Sequence, residues 1–134
     1  MPDNIKYKEK NHRVFSCQYH IVICPKYRKK LFVRGIDERL KEIILETAKM
    51  YKFEIPDIEV MPDRVHMIID CDPEKGIVDC IRNIKSRSSH ILYKEYPALK
   101  KELSSIWSRG YFVSSVGSVS LEVVKKYIEK QKKE

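Results

Sequence analysis

Alternating and helical patterns of apolar residues divide the chain into seven predicted elements. Segments rich in β-branched and aromatic residues predict four strands, at 14–24, 53–61, 65–71 and 111–116. Apolar residues recurring every three or four positions predict three helices, at 36–51, 77–93 and from Ser120 onward. This order predicts an α+β fold: a two-layer sandwich with an antiparallel four-stranded sheet and helices on one face. The 134 residues suit one domain, 1–134, whose last part, 119–134, is the C-terminal helix.

A tight turn at Pro62-Asp63 sets the pairing of the second and third predicted strands. A type I turn centred there places Glu59 directly opposite His66. A carboxylate beside an imidazole is a plausible start to a Mg²⁺ or Mn²⁺ site. His20 joins this site if the first strand lies next to the third, and Asp63 would then orient an imidazole. The plainer interpretation is a surface ion pair, which composition alone favours.

The last helix carries a second candidate group. Tyr127 and Gln131 are four residues apart, so they share one face of the predicted helix. A tyrosine nucleophile needs an activated hydroxyl, a polarised phosphorus and a stabilised leaving oxygen, which nearby lysines and a metal can supply. The chain has 8 tyrosines, and by itself this pattern favours a packing residue on an amphipathic helix.

Charge adds a moderate preference for a phosphate-bearing partner. The chain has 27 Lys and Arg against 19 Asp and Glu, a net charge of +8. The segment Lys26–Lys30 combines four cations with one aromatic ring, which suits a single-stranded or hairpin nucleic acid, and further cations follow on the second helix. A solvated surface is the alternative. The predicted nucleic-acid contacts are Lys26, Tyr27, Arg28, Lys29, Lys30, Arg82, Lys85 and Arg87.

Other features narrow the class of protein. No segment is long and apolar enough to cross a bilayer, and the N-terminus lacks a signal-peptide pattern, so we expect a cytoplasmic protein. The 4 cysteines do not form a Cys-x-x-Cys pair, which argues against a zinc knuckle. They fall in apolar segments, where we expect core thiols rather than disulfides.

Several sequence blocks, in order, resemble one known family. These blocks are Tyr19-His20-Ile21-Val22 with Lys26-Tyr27-Arg28, Pro62-Asp63-x-Val65-His66, Ile84-Lys85 before Ser88-Ser89, Trp107-Ser108-Arg109-x-Tyr111-Phe112, and Val124-x-x-Tyr127-Ile128-x-x-Gln131. Together they resemble the single-tyrosine transposases of the small IS200 and IS605 type of insertion sequences. That family belongs to the nucleases named for a His-hydrophobic-His (HUH) motif.

The resemblance implies a specific chemistry. Such proteins are homodimers that exchange their C-terminal helices, bind subterminal DNA hairpins, and cut and rejoin single-stranded DNA through a 5′-phosphotyrosine intermediate. By this resemblance Tyr127 is the nucleophile, His66 is a metal ligand, and Gln131 is a further ligand delivered by the helix.

Arg64 departs from the family pattern, which has histidine at this position. Strand alternation places residues 64 and 66 on one face, and a guanidinium has no lone pair for a metal. Either Glu59 keeps a workable site, or this copy is a catalytically impaired hairpin-binding homologue; Arg64 can also neutralise the scissile phosphate.

The element order also suits an RNA-binding domain of the β-α-β-β-α-β type. Such a domain exposes aromatic residues on its central strands, and the equivalent positions here are mostly aliphatic.

Overall fold

The computed structural model describes residues 8–10, 13–15, 17–116 and 121–131, and confirms the α+β class. Its strands are β1 (Lys8–Lys10), β2 (Arg13–Phe15), β3 (Gln18–Ile23), β4 (Glu54–Met61), β5 (Arg64–Asp70) and β6 (Phe112–Ser115). Its helices are α1 (Ile36–Tyr51), α2 (Ile77–Glu95), α3 (Leu99–Glu102) and α4 (Leu121–Gln131), with a 3₁₀ turn at Lys26–Arg28. The main sheet is antiparallel with the order β4-β5-β3-β6, and β1 pairs with β2 separately.

The turn between β4 and β5 has the predicted register. Met61 pairs with Arg64, and Glu59 pairs with His66. The pairing register between β4 and β5 shifts between Glu54 and Asp57, an interval that contains Pro56. Proline is tolerated at an edge strand or a bulge because it has no N–H to donate to the neighbouring strand. Since β3 lies beside β5, the sheet places the first predicted strand next to the third.

The two faces of the sheet have different environments. On one face, Ile21, Met67 and Ile69 are buried against α1 and α2, whose Ile43 and Ile84 are fully buried. This burial of apolar surface is the main stabilising contribution to the fold. The other face presents polar side chains at alternating positions, because successive residues of a strand point to opposite sides. All of the predicted metal-site residues on β3, β4 and β5 therefore belong to this second face, here called the polar face.

The structure departs from the predicted elements in two respects. The predicted strand 14–24 is two strands, because β2 pairs with β1 and only β3 enters the main sheet. The 3₁₀ turn and α3 are too short to produce a helical stripe, so no periodicity indicated them. The predicted helix start at Ser120 lies outside the described residues.

Cys24, Cys71 and Cys80 are buried free thiols, as predicted, and Cys17 is a half-buried one. Burial raises the pKa of the Cys24 thiol to about 11, consistent with an inert core residue. None of the helices in the described segments is long and apolar enough to span a membrane.

Candidate active site

Two histidines meet on the polar face. His20 pairs with Ile68 and His66 pairs with Val22, so the two histidines are diagonal neighbours on adjacent strands. Nδ1 of His20 lies 3.4 Å from Nε2 of His66, and the rings stack with centroids 5.5 Å apart. Burial, reinforced by the nearby His66, lowers the pKa of His20, while Asp57 opposes this shift. This shift favours the neutral form of His20, which has a lone pair to offer a metal.

The spacing of the two imidazoles fits two neighbouring ligands of one ion. Nitrogens about 2.1 Å from a divalent ion lie roughly 3.0–3.4 Å apart at octahedral or tetrahedral angles. Within the described part of the chain, no three His, Cys, Asp or Glu side chains form a metal-binding group by themselves. The histidine pair could supply two positions to an ion, and further ligands would then have to come from other oxygen donors.

Acidic residues of the edge strand lie beside the histidines. Glu59 pairs with His66, as predicted, and is exposed. Asp57 pairs with Ile68, which puts it in the same cross-strand row as His20. Strand alternation places Asp57 and Glu59 on one face, and this signal in the sequence could have identified Asp57 as a site residue.

Arg64 and Asp63 bind each other and do not extend the histidine pair. Nη1 of Arg64 donates to Oδ1 of Asp63 at 2.8 Å, and Nε of Arg28 donates to Oδ2 at 2.7 Å. The prediction that Asp63 orients an imidazole is wrong in this structure, because both oxygens of its buried carboxylate accept from guanidiniums. Arg64 is turned toward this carboxylate and supplies no ligand.

Helix α4 packs against its own chain beside the loop that precedes β6. The Tyr127 ring lies 5.6 Å from the Phe112 ring, and Oε1 of Gln131 accepts a 2.7 Å hydrogen bond from Oγ of Ser108. A Cβ on Gly110 would lie 3.7 Å from Nε2 of Gln131 and 3.9 Å from the Tyr127 hydroxyl oxygen. The predicted pairing of Tyr127 and Gln131 on one helix face is therefore confirmed, with both facing the backbone at Gly110.

Tyr127 lies over the same face of the sheet as the histidines. Phe112 pairs with Val22, which in turn pairs with His66. Neighbouring strands are about 4.8 Å apart, so the backbone beneath Phe112 is roughly 10 Å from that of His66.

Lys85 organises the loop against which α4 docks. Its Nζ donates to the carbonyl oxygens of Ser108 and Gly110, both at 2.9 Å, and lies 5.6 Å from the Tyr111 ring centroid. Ser108 itself is buried and binds Gln131. Ser108 belongs to one of the blocks that resemble the family, but no pattern in the sequence assigned it a contact, because its partner Gln131 lies on a helix that follows it in the chain.

The predicted DNA contacts divide into exposed and engaged side chains. Those that are exposed are Tyr27, Lys29, Lys30 and Arg82, of which Arg82 also donates to Oδ1 of Asp79 at 2.9 Å. Arg87 donates to the carbonyl oxygen of Ile43 and the hydroxyl of Thr47, both at 3.2 Å, and so joins α2 to α1. Half-buried Lys26 lines a cavity of about 520 Å³ with Ser108, Arg109 and Gly110, beside Tyr127.

Comparison with known proteins identifies the family. The sequence model of the family described as "Transposase IS200 like" matches residues 13–131. The chain belongs to the IS200-like transposase family. This IS200-like transposase is 32% identical to the ISDra2 transposase TnpA of Deinococcus radiodurans over 120 residues, covering 88% of this chain and 86% of that protein. It is 29% identical to the IS200 transposase of Salmonella typhimurium over 125 residues, covering 92% and 82% respectively.

Solved structures agree with the fold of this IS200-like transposase. A Deinococcus radiodurans protein assigned as a transposase superposes with a TM-score of 0.86 at 28% identity, covering 92% of this chain and 97% of that one. A REP-associated tyrosine transposase bound to a REP hairpin superposes with a TM-score of 0.58 at 14% identity, covering 91% and 68%. The second likeness concerns the fold alone.

Proposed function

We propose that this transposase cuts and rejoins single-stranded DNA with Tyr127 as the nucleophile. The observation that supports this proposal best is the arrangement on the polar face. Tyr127 and Gln131 project from α4 beside Gly110, over the face that carries the His20–His66 pair. The arrangement combines a hydroxyl nucleophile, a cavity lined by Lys26 and a pair of imidazole nitrogen atoms.

The proposed step is a transesterification that conserves the number of phosphoester bonds. The Tyr127 oxygen bonds to the scissile phosphorus, the bond from phosphorus to the 3′-oxygen breaks, and the 5′ end stays attached to the enzyme. The hydroxyl proton lost by Tyr127 is balanced by the proton that the departing 3′-oxygen gains. Attack by a free 3′-hydroxyl on the phosphotyrosine reverses these changes, so rejoining needs no ATP.

His20 and His66 would hold the divalent ion, Mg²⁺ or Mn²⁺. When bound, the ion would polarise the phosphate and stabilise the leaving oxygen. Glu59 and Gln131 remain candidates for further ligands, and Asp57 joins them because it lies in the row of His20. Lys26 and Arg109 line the adjacent cavity and would neutralise the nonbridging phosphate oxygens.

Hairpin DNA is the proposed binding partner. The exposed Tyr27 ring suits stacking on an unpaired base, and exposed Lys29 and Lys30 suit phosphate contacts. The REP hairpin bound to the REP-associated tyrosine transposase, which shares this fold, supports the choice. We also propose a homodimer in which each α4 occupies the corresponding position on the other subunit. The contacts of Tyr127 and Gln131 would then be made across the subunits.

A hairpin-binding protein without cleavage activity is the second candidate, and Arg64 favours it. That arginine removes one of the two imidazoles that the family motif would supply. The family match makes a transposase the better assignment than an RNA-binding domain.

Covalent capture of DNA separates the two candidates. The protein is incubated with Mn²⁺ and a labelled single-stranded oligonucleotide that carries the element's end hairpin, and adducts are resolved under denaturing conditions. We expect an adduct with the wild-type protein and with Tyr51→Phe, a matched variant on the distant helix α1, but none with Tyr127→Phe. Hairpin binding without an adduct would support the inactive homologue.

A further inference from the structure

Arg28 is placed differently from the other cations of its segment. Its side chain is only 14% exposed, whereas the following Lys29 and Lys30 are exposed. Its Nε donates to Asp63 at 2.7 Å, and its Nη1 donates to the carbonyl oxygen of Ile128 at 3.2 Å. Nη1 also lies 3.7 Å from Oε1 of Glu129. One guanidinium thus connects the turn before His66 to the helix that carries Tyr127.

The bond from Arg28 reaches the backbone of α4 and not only a side chain. Its acceptor is the carbonyl oxygen of Ile128, one residue after Tyr127 in the described helix Leu121–Gln131. A hydrogen bond from a charged donor is stronger than one between neutral groups. Arg28 therefore attaches α4, next to Tyr127, to a different element of the fold.

The backbone around Arg28 is held in a conformation that L-residues avoid. Tyr27 has φ 60° and Arg28 has φ 51°, both in the left-handed region, and neither is glycine. Such conformations persist only where surrounding contacts fix them, and they concentrate at functional positions. Here the amide nitrogen of Arg28 donates to the carbonyl oxygen of Pro25 at 2.8 Å, and the side chain is bound at both of its targets.

We infer that Arg28 is a positioning residue that docks α4 and thereby sets where the Tyr127 hydroxyl lies relative to His66. Asp63 is the anchor, because its carboxylate is rigidly placed in the two-residue turn that precedes β5. The inference rests on the proposed function for its catalytic consequence. The docking itself rests only on the contacts of Arg28.

A lysine cannot replace this arginine in the proposed role. The guanidinium presents several donors in a planar fork, so it reaches a carboxylate and a carbonyl at once, whereas an ammonium is a compact point charge. A phosphate contact, by contrast, is largely retained by lysine. Arg28→Lys therefore distinguishes docking of α4 from DNA contact.

The test measures three quantities in Arg28→Ala, Arg28→Lys and Asp63→Asn. They are amide hydrogen exchange of α4, the dissociation constant for an end-hairpin oligonucleotide at several salt concentrations, and the single-turnover rate of adduct formation at saturating oligonucleotide. Fluorescence of the one tryptophan, Trp107, checks folding. Lys29→Ala is the matched control, because Lys29 is the adjacent cation and is exposed.

We expect all three variants to speed α4 exchange by about tenfold or more, because each removes a charge-assisted hydrogen bond. Adduct formation should slow by about 10- to 100-fold, as a misplaced reacting group predicts, while the hairpin dissociation constant stays within about twofold of wild type. Lys29→Ala should leave α4 exchange unchanged.

Opposite results would overturn the inference. Arg28 is a phosphate contact if Arg28→Ala weakens hairpin binding and leaves α4 exchange unchanged. In that case the slope of the logarithm of the binding constant against the logarithm of the salt concentration should also become shallower by about one. If Arg28→Lys retains wild-type α4 exchange, the fork is not required. Should the wild-type protein form no adduct, the proposed function fails, yet exchange and hairpin binding still decide whether Arg28 docks α4. A variant that Trp107 shows to be unfolded is set aside, and the remaining two decide.

Discussion

Removing the hydroxyl of Ser108 tests what holds Gln131 and the end of α4 in place. Ser108 is 3% exposed and Gln131 is 2% exposed, and their 2.7 Å hydrogen bond is shielded from water. Ser108→Ala removes one oxygen atom and leaves the buried amide oxygen without its donor. An unsatisfied buried polar group costs about 1–3 kcal/mol. The substitution changes little volume, so a cavity contributes little to this cost.

The loss should appear first as local opening of α4. The helix follows the last strand, and the contacts described for it come from its second half, at Tyr127, Ile128 and Gln131. We therefore expect it to open while the core stays folded. A cost of about 1–3 kcal/mol raises the opening equilibrium constant by about 5- to 150-fold. Amide hydrogen exchange, followed by mass spectrometry, should therefore speed up by this factor in α4. The amides of α2, which belong to the core, should keep their wild-type rates.

Ser86→Ala is the matched control, because Ser86 is an exposed serine on α2. It should leave exchange in α4 unchanged. Unaltered α4 exchange in Ser108→Ala would refute the reasoning, since it would show that the buried bond contributes nothing to docking. Equal acceleration in α2 and α4 would also contradict it, because the effect would then be global.

Three further predictions concern the polar face. Because burial and His66 lower the pKa of His20 below its ordinary 6.5, the unfolded chain binds more protons just below that pH. The free energy of unfolding should therefore fall as the pH drops from about 6.5 toward the lower folded pKa, and His20→Asn should flatten this slope in a pH series of urea denaturations; an unchanged slope would contradict the shift. Arg64→His adds an imidazole on the face of His66 and should raise Mn²⁺ affinity at least about tenfold by calorimetry; equal affinity would mean that position 64 lies out of reach. Gly110→Ala places a methyl group 3.7 Å from the Gln131 amide and 3.9 Å from the Tyr127 oxygen, in ordinary contact, so the melting temperature should hold. The adduct rate should nevertheless fall by about tenfold, because the methyl group occupies space beside the nucleophile; an unchanged rate would place the phosphate elsewhere.

Local sequence patterns determined the elements and one register. The predicted helix 36–51 has the same first and last residues as α1, because its apolar stripe and its boundaries both depend on residues that are close in the sequence. The pairing of Glu59 with His66 followed from the two-residue turn, which leaves no freedom in register. The placement of Tyr127 and Gln131 on one face of α4 followed from their spacing of four residues in a helix.

Contacts between distant segments were decided only by the tertiary structure. The sequence left open whether His20 reaches His66, because that depends on β3 lying beside β5. Arg28 has the composition of a DNA contact, yet a left-handed turn directs it to Asp63 and Ile128. Ser108 binds Gln131 only because α4, which follows it in the chain, packs against it in the fold. The periodicity of apolar residues predicts which face of a helix or strand is buried. Which buried faces contact each other depends on the order of the strands, on turns with positive φ and on how the helices dock. The sequence by itself therefore determined the helices and strands and the register of one hairpin. The contacts that bring the candidate active-site residues together depend on the packing of these elements in the tertiary structure.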